Sequence, residues 1–129
     1  MLRCVRLYTN HKGQVQAEEG LLEYQPADRG DLKTTTIPTE HVFFKQTPAG
    51  SSSDWKTDPV RQFVITLQGH LMFETELGQH FEIQRGDILL TEETGGKGHR
   101  WQLMGDEPWV RMYVTLEQST FVPFTAQTN

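Results

Sequence analysis

Five histidines, one cysteine and a lysine set among glycines are the residues of this 129-residue chain with the most obvious chemical reach. Imidazole titrates near neutral pH and ligates metals, so each histidine is a candidate for proton transfer or coordination. The surroundings of four suggest plainer roles. His11 lies in the polar turn Asn10-His11-Lys12-Gly13, and His80 follows a hairpin turn and alternates with apolar Phe81. His41 and His70 read as ordinary strand positions, because histidine is commonly intermediate in burial. The fifth, His99, opens a strand after a glycine-rich loop. Cys4 has no partner for an internal disulfide, which points to a reducing compartment. Gly95-Gly96-Lys97-Gly98 invites comparison with a phosphate-binding loop. The first glycine of such a loop would fall on Thr91, and its Ser or Thr after the lysine would fall on Gly98. A strand follows rather than a helix, so no helix N-terminus is available for phosphate. The segment reads as a tight loop at a barrel mouth, where Lys97 can still meet an anion. Trp55, Trp101 and Trp109 serve either core packing or an aromatic pocket wall.

The elements that must position these residues are short strands. Val5 to Tyr8 reads as a strand, with a second near Leu21 to Tyr24. Residues 26–39 hold two prolines and a threonine run and read as a long loop or edge segment. His41 to Gln46 is β-branched and aromatic, hence a strand, and 47–54 is a loop by composition. Gln62 to Leu67, His70 to Glu76, His80 to Gln84, Ile88 to Thr91, His99 to Met104 and Trp109 to Leu116 follow as strands between turns. Residues 118–129 read as a frayed tail. No stretch carries the apolar recurrence of a long amphipathic helix. The expectation is one all-β domain over 1–129, a jelly-roll barrel with its core at 40–117 and N-terminal strands within 1–39.

Residues 61–101, RQFVITLQGHLMFETELGQHFEIQRGDILLTEETGGKGHRW, resemble the core of the cupin superfamily. The resemblance rests on the run Phe63 to Leu67, Gly69, Gly78, Gly86-Asp87 and His99. Asp54-Trp55, Arg61 to Val64, Asp87 to Leu90 and Thr94 to His99 look like a subgroup of small single-domain bacterial cupins without an assigned reaction. It implies a double-stranded β-helix. It also implies a ligand set of two histidines and a glutamate from a first motif and one histidine from a second. Here the glutamate position holds Gln62, the two histidine positions fall near Lys56 and Asp58, and only His99 matches. Gln is a weak ligand and protonated Lys none, so no native metal or other cofactor is expected, although Asp58 with His99 retains a degraded site.

If His99 points inward, period-2 alternation takes Trp101 and Leu103 with it. An inward Gln62 likewise leaves Phe63, Ile65 and Leu67 as an apolar outer face needing cover, from the N-terminal segment or from a second copy in a homodimer. The pocket set is then Gln62, Trp101, Lys56, Asp58 and Tyr113 around His99 as the candidate acid–base residue, suited to a neutral or anionic small molecule. The leading functional expectation is a small-molecule-binding cupin, with metal-independent isomerase, epimerase or lyase chemistry as its enzymatic form. One alternative is a metal-dependent oxygenase or lyase using Asp58, Gln62 and His99. Another is a non-catalytic ligand-sensing or interaction module. The net charge of −5 argues against nucleic acid and an anionic membrane surface as partners. No apolar run is long enough for a signal peptide or a membrane span, so a cytoplasmic protein is expected.

Overall fold

Alternation along the strands settles which side chains face inward. In the computed structural model, which describes residues 1–127, Val64 and Leu89 belong to one apolar cluster while their neighbours Phe63, Ile88 and Leu90 belong to another. Two clusters on opposite faces of the same strands are what a period of two requires of a sheet covered on both sides.

The strands are β1 (Leu2–Thr9), β2 (Val15–Leu22), β3 (Gln25–Pro26), β4 (Leu32–Lys33), β5 (Val42–Thr47), β6 (Gln62–Gln68), β7 (His70–Thr75), β8 (His80–Gln84), β9 (Ile88–Glu92), β10 (His99–Met104), β11 (Trp109–Thr115) and β12 (Phe124–Ala126). The helical content of the described residues is a single 3-10 turn at Asp28–Gly30, and no helix is long and apolar enough to cross a membrane. A large sheet runs β12-β2-β1-β9-β6-β11-β5, and a smaller one runs β10-β7-β8. Residues 51–56 extend the smaller sheet beyond β10 through antiparallel bridges from Ser52 to Gln102 and from Lys56 to His99. From β5 onward the chain therefore passes large, small, large, small, small, large, small, large. That is the winding of a cupin-type double-stranded β-helix, an antiparallel jelly roll. β1 adds parallel to β9, with Cys4 opposite Ile88, and widens the large sheet.

Three expectations need correction. The second strand is β2 at 15–22, not a short segment at 21–24. Its polar stretch is paired with β1 and carries outward charges, with Glu18 bound to Arg6 and Glu19 to Arg3. The tail is not frayed through residue 127. β12 pairs with β2, and the buried Arg61 guanidinium donates from Nη1 to the carbonyls of Glu117 (2.9 Å) and Thr120 (2.6 Å). Gly20 admits this strand, because a Cβ there would strike the Thr125 and Ala126 backbone. The remainder of the tail expectation, 128–129, lies outside the described residues. The loop read at 47–54 gives up its second half to the smaller sheet, because Ser53 N donates to Trp101 O and Leu103 N to Ser51 O. Of the two covers considered for Phe63 and Ile65, the N-terminal segment is present, through Cys4 and Leu22, and Val122 and Phe124 of the tail join it. Leu67 at 43 % exposure is what remains of the open apolar face that motivated the homodimer.

Candidate functional site

The inner face of the barrel is apolar at its floor and polar near one end. Parity carries Leu89 and Thr91 inward along β9, and Glu93, one residue past the strand, keeps the same side. Glu93 is 1 % exposed and His99 5 %. His99 Nδ1 lies 2.9 Å from Glu93 Oε1. A carboxylate accepts and cannot donate, so Nδ1 holds the ring proton and Nε2 keeps its lone pair. Glu93 is braced in turn, since Asp58 N donates to its Oε2 at 3.2 Å. The backbones of Lys56 and His99 exchange two hydrogen bonds. Gly98, at φ +98°, lies directly under the Lys56 carbonyl, where a side chain would collide. That glycine is required twice, for a left-handed backbone and for the close approach of two strands. Glu76 holds the loop from the other side, accepting from Lys97 N at 3.1 Å and from Val15 N.

His99 opens onto a cavity of about 50 Å³. Lys56, Asp58, Trp101 and Tyr113 line it with His99, so five of the six residues singled out from the sequence meet there. Gln62 does not line it; buried at 4 % exposure, it donates from Nε2 to Asp58 Oδ2 at 2.7 Å and fixes that carboxylate. Trp109, named from the sequence as a possible pocket wall, joins them, whereas the lining cations Lys45 and Arg111 were not anticipated. Period-2 alternation from an inward Tyr113 gives Arg111 and Trp109 at once, but the sequence leaves the inward face of β11 open. Glu93 could have been found only by extending β9 past Thr91.

Arg111 is buried at 5 % exposure and stacks on Trp109, with its guanidinium carbon 3.8 Å from the ring centroid. Nη1 donates to Thr47 Oγ1 at 2.6 Å and Nε to Tyr113 Oη at 3.2 Å. Among the described residues no carboxylate pairs with Arg111, Lys45 or Lys56. Lys97 sits elsewhere, its ammonium 4.5 Å over the Trp55 ring, with Arg100 on the same indole at 4.6 Å. A larger open groove of about 540 Å³ lies along the smaller sheet beside Ser53, Glu74 and Arg100. Arg100 is matched there to Glu74 at 2.7 Å, with His80 3.6 Å from the same carboxylate, and the remaining charge is the Asp54 carboxylate, which has no ion-pair partner among the described residues. The smaller cavity is where a histidine stands beside uncommitted cations.

The donor set does not fit the divalent metal that the cupin resemblance implies. Gln62 is turned to Asp58 and off the cavity, Lys56 brings an ammonium, and Arg111 adds a second fixed positive charge. Among the described residues no three His, Cys, Asp or Glu side chains stand close enough to share an ion.

No family model matches the chain, and no curated protein matches it. Among solved structures it is similar to the DMSP lyase DddQ from Ruegeria pomeroyi, at 12 % identity and a TM-score of 0.47. The match covers 84 % of this chain and 50 % of that one, so the chain spans about half the length of the lyase.

Proposed function

We propose that the protein is a small-molecule-binding cupin performing metal-independent acid–base chemistry at His99, of the isomerase, epimerase or lyase kind. The observation that carries this reading is the buried Glu93–His99 pair, which sets the tautomer and leaves Nε2 without a protein partner at the cavity. A carboxylate behind the ring also stabilises the imidazolium that forms when Nε2 takes a proton, as in other oriented His–carboxylate pairs. A carbon acid held in the cavity would lose a proton to Nε2 and regain it on either face or at another atom.

The test is deuterium wash-in. Ligands found by thermal-shift screening are incubated with the protein in D₂O and their C–H signals followed by NMR. The expected result is exchange that survives chelation and falls by about 10²- to 10⁴-fold in His99→Gln. Binding with no exchange would favour the ligand-sensing module. Exchange lost on chelation and restored by a divalent ion would favour the metal-dependent alternative.

A further inference from the structure

Three basic side chains border the cavity against one carboxylate. Arg111 lies inside the barrel, while Lys45 and Lys56 are exposed at its mouth. The carboxylate, Asp58, is occupied by the Gln62 amide at 2.7 Å and makes no ion pair with any of the three. Glu93 is committed to His99 and to the Asp58 amide. A buried guanidinium without a counter-charge is expensive, since desolvation costs several kcal/mol per ion before any compensation. Stacking on Trp109 recovers some of that and fixes the plane of the group, but does not neutralise it.

Arg111 is also only partly hydrogen-bonded. Nε goes to Tyr113 and Nη1 to Thr47 and to the Trp109 carbonyl. Nη2 makes no hydrogen bond to any described residue, yet it is not among the polar atoms sealed away from solvent without a partner. In a side chain that is otherwise buried, Nη2 is left open to the cavity.

We propose that the ligand of this cavity is a small organic carboxylate, its anionic end held by Arg111 Nη2 and the ammonium groups of Lys45 and Lys56. This deepens the acid–base reading and rests on the same cavity. Size and shape narrow the class. A space of about 50 Å³ admits three or four water-sized groups. That suits the head of a two- to four-carbon acid with any longer part projecting past the lysines. The aromatic walls of Trp101, Trp109 and Tyr113 favour a flat carboxylate over a tetrahedral oxyanion. With the carboxylate against the cations, the adjoining carbon comes to the His99 side of the cavity.

The experiment is calorimetric titration of the full chain with lactate, propionate and malonate, beside lactamide as the uncharged counterpart and inorganic phosphate as the tetrahedral anion. At least one carboxylate should bind at least about tenfold more tightly than lactamide, and Arg111→Gln should lose at least about tenfold of that affinity. Lactamide binding as well as lactate, phosphate binding more tightly than every carboxylate, no carboxylate binding, or unchanged affinity in a folded Arg111→Gln would each overturn the proposal. Should Arg111→Gln fail to fold, the double variant Lys45→Ala/Lys56→Ala, altered only at exposed positions, decides. It should bind the carboxylate more weakly and with a shallower salt dependence, and a response like that of the unaltered chain would overturn the proposal. Carboxylate binding without deuterium wash-in upholds this inference and defeats the acid–base reading. Wash-in on a neutral ligand alone does the reverse.

Discussion

The two faces of the large sheet are built from the same strands and differ in kind. On β11 the inward series is Trp109, Arg111 and Tyr113, and the outward series is Met112 and Val114. On β9 the inward series is Leu89, Thr91 and then Glu93, against Ile88 and Leu90 outward. The outer face is apolar at its centre, closed over by β12 and the segment before it, with the buried Arg61–Glu92 pair at its rim. The inner face interrupts a larger apolar cluster with a histidine, a glutamate and an arginine, all nearly buried. Both faces bury apolar side chains, the inner one more of them, but the buried chemistry of histidine and carboxylate lies inside, and the alternation of a strand lets each face be varied without the other. Proteins that keep strained or uncompensated groups commonly do so where binding makes use of them.

The separation is broken most strongly from the outside. Leu90 is 1 % exposed in the outer cluster, and Leu90→Ala removes buried methyl groups and leaves a void. The expected loss is about 2–5 kcal/mol in urea unfolding, with deuterium wash-in per folded molecule unchanged. A loss below about 1 kcal/mol would mean that the outer cluster contributes little to the stability of the fold.

The polar rim of the same face gives a smaller effect with a pH signature. Burial alone would raise the Glu92 carboxyl, but hydrogen bonds and charge from Arg6 and Arg61 outweigh it and hold the group below the ordinary carboxylate range. A depressed carboxyl contributes stability that is fully present above its unfolded value, about 4.3, and is lost as pH falls through the lowered native value. Glu92→Gln should therefore cost about 1–3 kcal/mol at pH 7. The gap to the unaltered chain should close below about pH 4. A gap that persists undiminished at low pH would assign the effect to packing instead. Cys4, by contrast, is pushed up to about 12, chiefly by burial, and stays a thiol across this range.

The fold was legible because its signals are local. The apolar run of Gln62–Gln68, the alternation in His99–Met104, and turns such as Leu77-Gly78-Gln79 need no knowledge of the rest of the chain. The site was legible where parity could be carried from one residue to the next, as from His99 to Trp101. It failed where two distant segments had to be brought together. Glu93 meets His99 across the loop that Gly98 allows to pass under Lys56, and nothing in the spacing of those residues announces it. Arg111 is a buried charge in a strand otherwise suited to a core, and sequence patterning assigns such a residue to the surface by default. β12 was missed for the same reason, since what holds the tail is Arg61, far away in sequence.

The smallest effect distinguishes the two faces most sharply, because its sign is unusual. Most buried substitutions destabilise, and a merely structural arginine with three hydrogen-bonded partners should be no exception. If Arg111 is instead a cation held uncompensated for a ligand, replacing it with an apolar side chain of similar length removes a desolvation cost that nothing in the ligand-free protein offsets. Thr47, Tyr113 and the Trp109 carbonyl lose a donor, but Tyr113 and Trp109 line the cavity, where water can replace it. Arg111→Met should therefore leave the ligand-free protein as stable as before, or more stable by about 1 kcal/mol. The unaltered chain should regain its advantage only when a carboxylate is added. Thermal unfolding of both proteins, with and without lactate, gives the four values needed. A loss of more than about 2 kcal/mol in the ligand-free state would identify Arg111 as a structural tie between β5 and β11, and the inner face would then be built on the same terms as the outer one.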